Sequence, residues 1–291
     1  MPCVEAGTPA GIGYPCDQEM LRRLVFAGVG LAVMLAASRG SAFCRTTTSQ
    51  VPAGYDPTVH GCWPQGTPLA WHGGSAPYGV ASAASKQVAL ADAVRISDLA
   101  FSAWNDVGCP GTPGMRAYDD GPIQMLPDGS DCMSSNTCDA RTHDVVVFDD
   151  TTWPHDDPAN TLALTTVTYG VDDGTIFEAY TEVNTAQHAV TAQEPPPANE
   201  YDLQAILTHE AGHFFGLAHA TDTKSIMYAF YRAGATKLTS DDEAGFCAIY
   251  PPGSAQPKGC ACGATTGGPG GLAALAAGLL AAIAALRRRV R

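Results

Sequence analysis

A chain of 291 residues, 45% hydrophobic and 15% charged, has enough apolar material for one domain of ordinary size with targeting segments at its ends. Its net charge is −13, and between Cys44 and Gly259 there are 9 Lys and Arg against 26 Asp and Glu, which argues against nucleic acid as a partner because no basic patch exists to neutralise phosphates. Ten cysteines in a chain that carries a secretory leader point to disulfides formed outside the cytosol.

Residues 1–19 show no periodicity. Met20-Leu21-Arg22-Arg23 then opens an apolar run from Leu24 to Ala37, followed by Ser38-Arg39-Gly40-Ser41-Ala42. A basic start, an apolar stretch too short to span a membrane comfortably and small residues at the end describe a signal peptide over 20–42, cut after Ala42. Such a peptide begins close to its basic residues, so Met20 reads as the true start and 1–19 as upstream of it. Residues 43–84 are rich in Gly, Pro, Ser and Thr, and Pro68-Leu69-Ala70-Trp71 is their one strand-like piece.

From Lys86 to Val107, Ala89, Ala93, Ile96, Ala100 and Ala103-Trp104 recur at intervals of three and four, which predicts an amphipathic helix ended by Pro110-Gly111. Three strands are expected next. Asp144–Asp149 is a short β-branched run fit for burial, Leu162–Tyr169 is a second, and Thr175–Asn184 alternates well enough to be a third. Paired acids such as Asp119-Asp120, Asp156-Asp157 and Asp172-Asp173 fall in expected loops, where solubility is their ordinary role, and none matches a calcium-loop pattern. Six cysteines, Cys44, Cys62, Cys109, Cys132, Cys138 and Cys247, lie in the expected mature domain and allow fifteen pairings. Cys132 and Cys138 flank one short loop, which suits a local bridge; Cys44 with Cys62 and Cys109 with Cys247 are then what remains.

Asn199-Glu200-Tyr201-Asp202 supplies capping residues for a helix carrying Leu203, Ile206, Leu207 and then His209-Glu210-Ala211-Gly212-His213-Phe214-Phe215-Gly216-Leu217-Ala218-His219. His209 and His213, four apart, share one helix face and can offer imidazole nitrogens to a single ion. Glu210 sits beside them, where a carboxylate reaches a water held by the ion and acts as general base. Gly216 suits a helix end because it can take the left-handed conformation that reverses the chain and brings His219 back as third ligand. Three imidazoles with one open position describe a catalytic zinc site, whereas a structural site would be closed by a fourth protein ligand. At about one chance in twenty per position, the five fixed positions arise by accident in a chain of this length roughly once in ten thousand. Eight residues after His219 comes Met227, within Ser225-Ile226-Met227-Tyr228. Thr239 or Ser240 then caps a last helix with acids in its first turn, ending near Tyr250 at Pro251-Pro252.

At this extended motif and the following methionine the sequence resembles the metzincin zinc endopeptidases, and in its first and last helices the matrixins among them. The likeness runs over about residues 62–252. It implies an α+β metzincin-like catalytic domain over 85–252, with a mixed twisted five-stranded sheet, about three helices and disulfides. It further implies one catalytic Zn2+ on His209, His213 and His219, Glu210 as general base, Met227 as the methionine floor beneath the metal, and Tyr228 lining the pocket for the side chain after the cut. By the same resemblance Thr161–Tyr169 is the sheet edge, to which a protein or peptide substrate adds as another strand. Calcium is allowed by the likeness. A second, structural zinc is not expected: His155 and Asp157 have the spacing for half of such a site, but the two following strands hold no histidine.

Beyond the domain, residues 253–271 form a linker containing Gly259-Cys260-Ala261-Cys262, and 272–291 hold an apolar run from Leu272 to Leu286 and Arg287-Arg288-Arg289-Val290-Arg291. Cysteine, apolar helix and arginine cluster together resemble the C-terminal sorting signals of myxobacterial surface proteins (MYXO-CTERM type). That likeness implies a sorting or processing protease as a partner at the tail, and a secreted protein attached to the cell surface or outer membrane; a permanent membrane anchor is the other reading. A different class stays in view, a surface binding or adhesive protein that keeps the fold without turnover. The intact Glu210 speaks against it.

Overall fold

Val145-Val146-Val147-Phe148 has no polar alternation, as befits a strand covered on both faces. It forms β5 (Val145–Phe148), with all three valines buried. The computed structural model describes residues 42–125 and 144–254, and within them β5 lies inside a six-stranded sheet. β3 (Ser75–Val80) and β7 (Thr175–Val183) flank it, both parallel to it. β4 (Arg116–Asp119) extends the sheet beyond β3, and β2 (Ala70–Trp71) pairs with the first two residues of β7, again in parallel. Only β6 (Ala163–Tyr169) runs antiparallel, along β7, its one partner among the described residues; that makes β6 an edge strand. The fold is α+β and the sheet is mixed, but it has six strands where five are expected from the resemblance.

β3 and β4 are the strands that sequence patterning misses. Ser-Ala-Pro-Tyr-Gly-Val lacks both alternation and a β-branched run, and it includes a proline, which cannot donate to a ladder, and a glycine. The glycine has a packing reason: a Cβ at Gly79 would stand 2.5 Å from the Gly121 carbonyl oxygen and 2.7 Å from Ile123. The backbone of one loop therefore lies directly on the strand.

Four helices occur among the described residues, against about three expected. The additional one, α1 (Pro57–His60), is a single turn with proline at its start and Asp56 as cap. α2 (Leu90–Asn105) starts four residues later than the periodicity from Lys86 suggests. The reason is local competition: the Asp150 carboxylate accepts from Ser85 Oγ at 2.6 Å and from Lys86 N at 2.7 Å, while the Gln87 side chain bonds Thr185 O at 2.7 Å and Val190 N at 2.8 Å. These residues are tied to neighbouring loops and cannot enter a helix. α2 buries Ala93, Ile96, Ala100, Phe101 and Trp104 and packs along α3 (Leu203–Phe214), with Trp104 Nε1 donating to Thr208 O at 2.9 Å. α4 (Ser240–Ile249) begins at a capping box in which the Thr239 and Asp242 side chains satisfy each other's backbone N–H.

Short pairs complete the frame: β1 (Cys44–Arg45) runs antiparallel to β10 (Leu217–Ala218), and β8 (Val190–Thr191) parallel to β9 (Tyr201–Asp202). Two disulfides are formed, Cys44–Cys62 and Cys109–Cys247, with Cα separations of 5.2 and 5.5 Å. The expected Cys132–Cys138 bridge, the signal peptide, Cys260, Cys262 and the apolar tail lie outside the described residues. Among the described residues no helix is long and apolar enough to cross a membrane.

Candidate metal centre

The site is built from the end of α3. Asp202 caps that helix by accepting from Gln204 N at 2.9 Å, and Leu203, Ile206, Leu207 and Phe214 are buried in the core. This leaves His209 and His213 together on another face. The helix stops at Phe214 because Gly216 takes φ +87°, the left-handed region, and a Cβ there would stand 2.7 Å from the Leu69 carbonyl oxygen. Two terminal carbonyls that the helix cannot satisfy find partners outside it: Trp71 Nε1 donates to Phe214 O at 2.7 Å and Tyr250 Oη to Phe215 O at 2.9 Å. The reversed chain continues as β10, held against β1, and His219 follows it immediately.

The candidate ligand atoms of His209, His213 and His219 all lie within 4.8 Å of one another, and among the described residues these three form the one such group of His, Cys, Asp or Glu. His209 Nδ1 donates to Ile226 O at 2.8 Å and His213 Nδ1 to Leu217 O at 2.9 Å. Carbonyls only accept, so the protons sit on both Nδ1 atoms and each Nε2 presents a lone pair. Those two Nε2 atoms are 3.1 Å apart. Lone pairs so placed repel, and a shared cation relieves the repulsion. Two Zn–N bonds of about 2.0–2.1 Å at a tetrahedral angle span about 3.3 Å, so the spacing suits that ion. Burial, reinforced by His209, holds His213 below the ordinary imidazole range; burial and the two neighbouring imidazoles push His219 down to about 2. Neutral imidazole is the form that binds a metal.

Met227 is 1% exposed and packs on Gly212, the helix residue before His213, where a Cβ would overlap its sulfur. The turn carrying Met227 hangs from α4. The buried Asp242 carboxylate accepts from Ser225 Oγ, from Ile226 N at 3.0 Å, and from Thr239 N and Oγ1 at 2.7 Å each. Ser225 Oγ in turn accepts from Met227 N at 2.8 Å. Because the Ile226 carbonyl in this turn orients His209, Asp242 reaches the histidine cluster through one intermediate residue. Sequence analysis reads Asp242 only as a first-turn acid; the Thr-x-x-Asp capping pattern is visible, but its tie to the methionine turn is not.

Glu210 is buried and lines the same cleft, and its Oε2 accepts from Thr165 Oγ1 of β6 at 2.7 Å. The cleft is about 550 Å³. Leu162 and the first three residues of the edge strand, Ala163–Thr165, form one side and Tyr228–Arg232 another, with Tyr228 5.4 Å from Phe230 between ring centroids. A third wall has no counterpart in the sequence pattern: Val51 and Tyr55, from the segment closed by the Cys44–Cys62 disulfide, and Trp63 just after it also face the cleft. His155, by contrast, is hydrogen-bonded to Glu182, its Nε2 2.8 Å from Glu182 Oε2.

Residues 140–251 match the family model of matrixin. The chain is 43% identical to interstitial collagenase of Bos taurus over 63 residues, covering 21% of this chain and 13% of that protein. It is 42% identical to interstitial collagenase of Oryctolagus cuniculus over 62 residues, 20% of this chain and 13% of that one. With metalloendoproteinase 1-MMP of Arabidopsis thaliana it shares 42% identity over 53 residues, 18% and 15% of the two chains. The chain thus spans only 13 to 15% of the length of these curated relatives. The matches support a metzincin-like protease, a zinc metalloendopeptidase in general terms.

Proposed function

We propose that this protein is a secreted, surface-attached zinc endopeptidase that hydrolyses peptide bonds in protein or peptide substrates. The observation that carries the reading is the convergence of three imidazoles, two of them with Nε2 lone pairs fixed by carbonyl partners, on a cleft that also holds a buried carboxylate. His209, His213 and His219 would hold zinc, which when bound supplies Lewis acidity and acidifies a water towards neutral pH. Glu210 takes a proton from the attacking water and delivers it to the leaving nitrogen. Edge strand β6 offers backbone groups that have no sheet partner among the described residues to an extended peptide, which fixes the scissile bond beside the site. Met227 is the floor that sets the histidine rings, and Tyr228 lines the pocket for the side chain after the cut. The likeness to matrixins leaves room for calcium. Residues 20–42 as signal peptide, and 253–291 as linker and sorting tail processed at Cys260 or Cys262, would place the enzyme outside the cytoplasmic membrane.

The test is cleavage of a peptide library by protein purified from the culture medium. Cutting that a zinc chelator abolishes, that zinc restores and that Glu210→Gln lacks is the expected result. A folded protein that carries one zinc and binds a partner equally well with Glu210→Gln, without cutting, would instead establish the adhesive alternative.

A further inference from the structure

The resemblance supplies no role for the hydroxyl that touches Glu210. Thr165 lies on edge strand β6 directly opposite Thr181 of β7 in the register of the sheet. Its Oγ1 is 2.7 Å from Glu210 Oε2, 2.9 Å from Thr181 Oγ1 and 3.4 Å from the Glu210 carbonyl oxygen. The bookkeeping of protons gives these contacts a direction. A carboxylate only accepts, so Thr165 donates its single hydroxyl proton to Glu210; the bond between the threonines must then run from Thr181 to Thr165. Thr181 is 4% exposed, and both residues are β-branched, with few rotamers available. The result is a one-way relay, Thr181 to Thr165 to Glu210 Oε2, anchored in two paired strands.

We infer that Thr165, oriented by Thr181, is a positioning residue for the Glu210 carboxylate. It pins Oε2, so that Oε1 is the oxygen with full capacity to take a proton. The inference rests on the reading of Glu210 as general base, and it joins two parts of the proposed mechanism: the strand that would receive the substrate backbone also sets the base. Substrate seating and base alignment then share one rigid element.

The experiment compares the zinc-loaded full-length enzyme with Thr165→Val, which keeps the shape and removes the hydroxyl, with Thr165→Ser and with Thr181→Val. Loss of a hydrogen bond to a charged group predicts that Thr165→Val lowers kcat about tenfold to a hundredfold, with KM and zinc affinity each within about twofold. Thr165→Ser should return kcat to within about threefold of wild type, while Thr181→Val should lower it by about threefold and add little on top of Thr165→Val. Unchanged kcat in Thr165→Val overturns the inference. So does a parallel loss of kcat, KM and zinc affinity that serine fails to rescue, because that pattern marks a merely structural role. Crystal structures of wild type and Thr165→Val decide the matter without turnover: Glu210 Oε2 leaving its place in the variant supports positioning, and an unmoved carboxylate refutes it. Absence of cleavage by the wild type sinks the protease reading, and the crystallographic comparison still decides the role of Thr165.

Discussion

Two walls of the cleft are held rigid by different means. The methionine turn is fixed by polar bonds converging on one buried carboxylate, that of Asp242, and through the Ile226 carbonyl it touches the first histidine. The wall from Val51 to Trp63 contains one helical turn, has little regular structure and is tied to β1 by the Cys44–Cys62 disulfide, whose cysteines are 18 residues apart. The first wall is therefore continuous with the histidine cluster and the second stands beside it. Damage to the first should be read out in metal binding, damage to the second in substrate binding and stability.

The sharpest way to break the comparison is Asp242→Ala. It orphans several buried donors at once, so stability should fall by about 3–5 kcal/mol and zinc affinity should fall with it, because His209 loses its fixed partner. Denaturant melts and zinc titration check both effects, and retained zinc affinity would separate the turn from the site. Replacing Cys44 and Cys62 together by serine should lower stability by about 3 kcal/mol through loop entropy. Here KM should rise while zinc affinity stays within a few-fold, because β1 keeps its pairing with β10 and the bond from Thr46 Oγ1 to Leu217 O at 2.9 Å. Equal loss of zinc binding in both variants would abolish the distinction. Gly212→Ala forces a methyl group into Met227 and should lower stability by about 1–3 kcal/mol, with weakened zinc binding, because the overpacked residue lies directly before His213 on the helix.

The smallest effect expected comes from pH in the metal-free protein. His213 is held below the ordinary imidazole value and His219 at about 2, so the unfolded chain binds more protons than the folded one below about pH 6.5. The stability these two contribute is complete above that pH and is lost as pH falls towards their folded values. Burial raises Asp144 to about 7 and Asp149 to about 6, and their contribution has the opposite sign, growing as pH falls. A comparison of metal-free wild type with metal-free His219→Asn cancels the carboxylates. The wild-type melting temperature should fall relative to the variant between pH 7 and 5; a constant offset would show that His219 is not held neutral by its surroundings.

What could be seen in the sequence is what depends on near neighbours along the chain. Helical spacing puts His209 and His213 on one face, Gly216 marks the reversal, and Thr239 with the acids after it marks the start of α4. The run Val145–Val147 announces a buried strand for the same reason. β3 is hidden because Pro77 and Gly79 are poor strand formers and Gly79 answers to the close approach of Gly121 and Ile123, and β4 because Arg-Ala-Tyr-Asp is short and has no β-branched residue. Thr165 and Asp242 look ordinary in isolation. Their importance comes from Glu210, 45 residues away, and from Ser225, 17 residues away, contacts that no local pattern encodes.

The pairing of β1 with β10 has a consequence in time. Thr46 and Leu217 are 171 residues apart, yet their contact holds the strand that presents His219. Contacts of such separation carry the largest loop-closure entropy and form late in folding. The third imidazole is thus held beside the other two only when β1 and Thr46 have docked on β10, and an ion captured earlier by His209 and His213 alone would be held weakly and exchange freely. Tight metal retention becomes a marker of completed folding, measurable as zinc protection from a chelator that appears in the last kinetic phase of refolding.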